Sequence, residues 1–186
     1  MASLLNTTGG YVLDLGLAGA EATGSISEKD TFINEATTNG IDSAGTIDYG
    51  VIVAKGTEDK GVVPLTASNG SQRVQGLTTR VALQSASLPG NVVGYKTGAA
   101  VPVARLGDYV VYAAEAVREG DEVIALATTV TISTGITTNV GGAKGGVANG
   151  TTRLACVGMK WKTTTAAQAK GIVSVYSRDL GTVLTS

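Results

Sequence analysis

Few residues in this chain could do chemistry. Three carboxylates crowd together at Glu119, Asp121 and Glu122, and a second acidic pair stands at Glu58 and Asp59. One thiol, Cys156, lies inside the apolar run Leu154-Ala155-Cys156-Val157, and one lysine, Lys144, lies in the stretch Gly141-Gly142-Ala143-Lys144-Gly145-Gly146. Clustered carboxylates could hold calcium or share the acid and base work of glycoside hydrolysis. A calcium loop needs ligands at alternating positions, a central glycine and a terminal glutamate, and neither cluster supplies that set. They read as solvated turn charges that blunt strand edges. A phosphate loop needs Ser or Thr after its lysine and then a helix, whereas Lys144 is followed by Gly145. The glycines between 16 and 24 lack the strand-to-helix setting of a dinucleotide fingerprint.

Histidine is absent from all 186 residues. Ser-His-Asp and Cys-His nucleophiles, His-ligated zinc and the usual neutral-pH proton shuttle are thereby excluded. With no base to activate it, Cys156 reads as a small core hydrophobe. Lys plus Arg number 14 against 15 Asp plus Glu, with no basic run to displace counterions from a phosphate backbone, so no nucleic-acid partner is expected. No cofactor or metal is expected either. The opening MASLLNTTGG lacks the basic and apolar regions of a secretory signal, which predicts synthesis in a cytoplasm. No run approaches the ~18 apolar residues of a membrane-spanning helix, and no membrane partner is expected.

The elements that must position these residues are strands. Glycine, threonine, valine and alanine dominate, which suits short pleated segments joined by glycine turns. The fold class predicted is all-β: a small barrel or sandwich of short antiparallel strands with an extended N-terminal arm. Apolar runs bounded by turn residues place strands at 49–55, 61–65, 74–82, 99–106, 109–114, 122–127, 130–133, 154–161 and 171–177. Leu106-Gly107-Asp108 and Glu119-Gly120-Asp121 carry turn chemistry, as do the Asn-Gly pairs at 39, 69 and 149. A helical turn is expected at 163–169 and a long mobile loop at 135–152.

The first 46 residues differ in pattern. Tyr11, Leu13, Leu15 and Leu17 recur at period two, giving a strand with one apolar face. Residues 18–46 are rich in Gly, Ser, Thr and Asn, with an apolar island at Phe32-Ile33, and read as arm rather than core. The expected division is an arm at 1–46, a barrel-like domain at 47–180 and a short tail at 181–186.

The order Thr31-Phe32-Ile33-Asn34-Glu35-Ala36, then Ile47-Asp48-Tyr49-Gly50-Val51-Ile52-Val53-Ala54-Lys55-Gly56-Thr57-Glu58-Asp59, then Gly61-Val62-Val63-Pro64-Leu65 resembles tailed-phage capsid cement proteins. Val74-Gln75-Gly76-Leu77-Thr78-Thr79-Arg80, Gly94-Tyr95-Lys96-Thr97-Gly98 and Val117-Arg118-Glu119-Gly120-Asp121 resemble later segments of that family in the same order. The resemblance spans about residues 15–180; residues 37–46 look inserted, and Gly98-Ala99 stands where the family often has Gly-Asp. It implies a non-enzymatic virion protein, made in the host cytoplasm, that binds the outer surface of an icosahedral head. There it would bridge major capsid protein subunits as a homo-oligomer, a trimer in preference to a dimer. Tyr11, Leu13, Leu15, Leu17, Phe32 and Ile33 are the candidate capsid or subunit contacts, the first four by strand addition to a sheet edge. The alternative for Tyr11 to Leu17 is an ordinary first strand of the domain. The alternative function is a glycan- or peptide-binding β module, or a small carboxylate hydrolase working around Asp121.

Overall fold

The computed structural model describes residues 5–7, 10–12, 17–22, 26–36, 45–65, 73–80, 94–133, 136–142 and 153–184, and among them every regular element is a strand. Among the described residues β1 (Leu5–Thr7) and β2 (Gly10–Val12) pair only with each other, as an antiparallel hairpin. The other ten form one sheet: β3 (Glu28–Asn34), β4 (Ile52–Lys55), β5 (Gly61–Pro64), β6 (Val74–Thr78), β7 (Ala100–Tyr112), β8 (Glu122–Ser133), β9 (Ile136–Gly142), β10 (Arg153–Trp161), β11 (Lys170–Val175) and β12 (Gly181–Leu184).

The order β3-β5-β4-β6-β7 closes on itself, because β7 pairs back with β3, and this makes a five-stranded barrel. The β3–β5 pairing is parallel and the others are antiparallel. From β7 the sheet continues through β11, β10, β8 and β9, with β12 alongside β10. β9 then returns to the end of β7, where Ala114 N–H donates to the Val140 carbonyl at 2.8 Å and the Thr138 hydroxyl to the Tyr112 carbonyl at 2.9 Å. The second set of strands therefore curls into a nearly closed ring that shares β7 with the first.

Alternation along the strands fills both interiors. In β11 the buried positions are Gly171, Val173 and Val175, and Ile172 and Ser174 are only half-buried. Phe32, Val51, Val53, Val62, Val101 and Val103 fill the barrel, and a larger core beneath it runs from Ile52 and Leu77 to Trp161. Most of these side chains are β-branched and fully buried, worth roughly 1.5–3 kcal/mol each, so a chain with 4% aromatic residues still builds a sizeable core.

Five sequence expectations need correction. Residues 18–46 are not all arm: β3 lies within them, and it joins the sheet because Phe32 and Asn34 alternate inward. The stretches 99–106 and 109–114 are one strand, since Gly107 (φ +118°) bends β7 without turning it. A Cβ there would lie 3.0 Å from the backbone of Ser27, which crosses at that point. Similarly, 122–127 and 130–133 are the single strand β8, and part of the loop expected at 135–152 is β9, which pairs with it. Residues 163–169 hold a bridge from Thr165 to Val117 and no helix.

Two polar side chains hold the architecture. Asn139 of β9 is fully buried, accepts a hydrogen bond from Ile52 N–H at 2.8 Å and donates to the Ile52 carbonyl at 2.9 Å. It imitates a strand neighbour and ties the second ring to the barrel. In the β4–β5 turn, the Glu35 carboxylate accepts from Thr57 N–H at 2.7 Å, the Thr57 hydroxyl at 2.9 Å and Glu58 N–H at 3.0 Å. Gly56 and Gly61 make room for it, since a Cβ at Gly61 would fall 1.6 Å from a Glu35 oxygen. Burial raises the Glu35 pKa, but these donors together outweigh it and hold the group below its ordinary value.

Asn139→Ala should lower unfolding free energy by about 2–4 kcal/mol in urea titrations, because Ile52 N–H is left buried and unpaired. For Glu35 the folded pKa is the depressed one, so its stabilisation is present above the ordinary value of about 4.3 and is lost as pH falls through the lower folded value. Glu35→Gln should accordingly be less stable than wild type at pH 7, by about 1 kcal/mol, with the gap closing on acidification below about pH 4.

Candidate functional site

Residues 17–22 are where the N-terminal segment becomes part of the sheet. Gly19 N–H donates to the Val110 carbonyl, Val110 N–H to the Ala20 carbonyl and Ala22 N–H to the Asp108 carbonyl, each at 2.8 Å, and Glu21 bridges antiparallel to Tyr109. The chain is thus stitched along the second half of β7. Gly19 (φ +77°) is enclosed: a Cβ would lie 2.9 Å from the Tyr49 Cβ and 3.0 Å from Arg80 N. Its carbonyl accepts Arg80 N–H at 2.7 Å.

Electrostatics reinforce this root. The Glu21 carboxylate accepts from Lys29 Nζ at 3.0 Å. Hydrogen bonds from the side chains of Ser27 and then Lys29 hold Glu21 below its ordinary pKa, against a smaller opposing effect of burial. The ion pair is about one-third exposed on both sides, which limits its worth to under about 1 kcal/mol. Beneath it the Tyr109 hydroxyl donates to the Leu106 carbonyl at 3.1 Å, and burial pushes its pKa up to about 12. On the other flank the Arg80 guanidinium carbon lies 4.4 Å from the Tyr49 ring centroid. Tyr49 meets Tyr95 edge-on at 5.1 Å, and the Tyr95 hydroxyl donates to the Thr79 carbonyl at 2.6 Å. Burial raises the Tyr49 phenol, with Arg80 opposing it.

The candidate contacts fall in different places. Tyr11 is in β2, opposite Asn6, and Leu13 and Leu15 lie outside the described residues. Leu17 is 52% exposed immediately before the anchored stretch. Phe32 and Ile33, adjacent in β3, separate: Phe32 is 6% exposed inside the barrel, which removes it from the surface, whereas Ile33 is 50% exposed. Gly19 and Glu21 went unmarked in the sequence, and Arg80 stood out only through the family resemblance, because a turn glycine and isolated charges look alike wherever they occur.

The reactive groups do not assemble. Burial, only partly offset by a hydrogen bond from the Ala125 backbone, pushes the Cys156 thiol up to about 12. Asp121 accepts from Arg118 N–H at 2.9 Å and so caps its own turn. A hollow of about 470 Å³ beside it is lined by Ala116, Val117, Arg118, Thr164 and Thr165, with Asp121 as its carboxylate. Among the described residues no group of three His, Cys, Asp or Glu could hold a metal, and no helix is long and apolar enough to cross a membrane.

No curated protein matches the chain. A chain in the solved structure entitled "The capsid of Myoviridae Phage XM1" has a similar fold, with a TM-score of 0.52 at 17% identity, over 86% of this chain and 89% of that one. The sequence matches the family described as structural cement protein (E217 gp24/Pam3 gp6) over residues 5–177, nearly its whole length and every strand of the closed barrel. The chain belongs to the phage structural cement protein family, and its place is the virion, on the capsid.

Proposed function

We propose that this cement protein docks on the outer surface of the head through residues 1–17 and bridges neighbouring major capsid protein subunits. The observation that carries this reading is the contrast between the β1–β2 hairpin, paired among the described residues only with itself, and the root at 17–22, which is tied to β7. A two-stranded hairpin is marginal alone and gains most from adding to another sheet. The period-two face of Tyr11, Leu13, Leu15 and Leu17 would fix register there. Ile33 is a second exposed apolar contact.

A homotrimer, with a dimer as the other closed arrangement, makes weak arms sufficient. Once one arm is docked the others bind at high effective concentration, so no single contact has to be tight. The role is structural and not catalytic: Cys156 is held as a neutral thiol in the core and Asp121 is occupied by its own turn.

Deleting residues 2–16 should leave a folded protein, melting within a few degrees of wild type, that no longer decorates purified heads in co-sedimentation. Heads assembled without the protein should release their genome at lower temperature than decorated ones. Equal genome retention would remove the stabilising role, and undiminished decoration by the deletion variant would remove the arm from it.

A further inference from the structure

We propose that two copies of this chain meet about a two-fold axis through the outer face of the second ring, at Glu122, Val157, Lys160 and Tyr176. The inference rests on the self-association proposed above and, of its two closed arrangements, selects the dimer.

The four residues share one face. Lys160 of β10 is the register partner of Glu122 in β8, and directly opposed residues of antiparallel strands project to the same side. Lys160 Nζ lies 5.9 Å from the ring centroid of Tyr176, which follows β11, and Tyr176 N–H donates to the Gly158 carbonyl at 2.9 Å. Val157 and Lys160 are both exposed although three residues apart, because Gly158 (φ +92°) resets the alternation of β10. A Cβ at Gly158 would lie 2.9 Å from Leu180 Cδ2, so the bulge is held against the core. Opposite Val157 in β12 stands Gly181, which has no side chain to cover it. Two large apolar side chains, each about half exposed, are thereby left on adjoining segments.

The charges around them say what covers the patch. Asp108, two strands from Lys160 across the sheet, already holds Lys162 at 2.8 Å, and Glu28 pairs with Arg178. Lys160 and Glu122 are exposed neighbours of opposite sign, yet among the described residues neither is in an ion pair. One cation and one anion beside an apolar centre form a pattern complementary to itself. A two-fold axis through the patch sets each Lys160 against the Glu122 of the other copy and packs the Tyr176 and Val157 side chains together. An isologous contact uses every interaction twice, so pairs that are weak singly add up. Tyrosine is among the residues that carry most of an interface's binding energy. A foreign surface would ask for no such balance of signs on this one.

The test is sedimentation equilibrium of the full chain. Wild type is compared with Lys160→Glu, Glu122→Lys, the two together, Tyr176→Ala and the 2–16 deletion, each checked for melting temperature and for decoration of purified heads. Wild type should be a dimer. Each single charge reversal should weaken association about tenfold or more, since it sets like charges together twice. Tyr176→Ala should weaken it about tenfold as well. Mixing the Lys160→Glu and Glu122→Lys chains should restore dimers containing one of each, because both contacts then join opposite signs, and the double variant should associate as wild type does. That rescue also shows the single variants to be folded. A wild-type monomer or trimer, single reversals that associate like wild type, or a mixture no stronger than its components would overturn the two-fold face. Reversals that keep the dimer but lose decoration would give the face to the capsid and overturn it too. The deletion variant separates this inference from the docking reading, since it should dimerise normally while failing to decorate. If it decorates while the reversals behave as expected, the arm reading fails and the dimer face stands. If the deletion dissolves the dimer and the reversals leave it intact, self-association belongs to the arm and this inference fails.

Discussion

The architecture depends on the double use of one strand. β7 is 13 residues long, and its first half closes the five-stranded barrel against β3 and β6 while its second half carries β11 and, through it, the remaining strands. Both interiors are therefore built on one backbone, and neither can rotate against the other without breaking β7 pairings. Gly107, at the change of hands, permits the bend this requires. Asn139 adds a second tie by bonding both polar groups of Ile52. The result is a rigid body with few internal degrees of freedom, which suits a capsid cement protein.

That rigidity gives the N-terminal segment a fixed point of departure. Residues 19–22 extend the pairing along the same half of β7 that supports β11, so a pull on the segment is carried into the backbone of both rings. The Glu21–Lys29 pair adds little by itself at its exposure. What resists a pull is the row of backbone hydrogen bonds, backed by the enclosure of Gly19 between Tyr49 and Arg80. Strength resides in the root and the barrel.

Much of this was legible in the sequence, and the misses have physical causes. Period-two alternation and glycine turns were enough to predict an all-β fold and most core strands. They failed at Gly107, where a glycine bends a strand and looks the same as one that reverses it. They failed again at β3 and β9, whose Thr, Asn and Gly residues look like loop because their inward polar groups bond backbone: Asn34 donates to the Gly45 and Tyr95 carbonyls, and Asn139 serves Ile52. The Asn34-Glu35-Ala36 element stood out only through its resemblance to a family. Its role as a turn clamp depends on Thr57 and Glu58, 22 and 23 residues away, which no local pattern connects. Phe32 and Ile33 illustrate the same limit, since one buried and one exposed residue make a single apolar island in sequence.

The central claim is that a rigid double ring presents an N-terminal segment which alone changes state on the capsid. Backbone amide hydrogen exchange, read by mass spectrometry on the free protein and on decorated heads, tests it most directly. The account predicts strong new protection in residues 1–17 on heads, with the amides of β4, β7 and β11 unchanged. Protection gained across the barrel strands, with residues 1–17 exchanging as fast on heads as in solution, would contradict it.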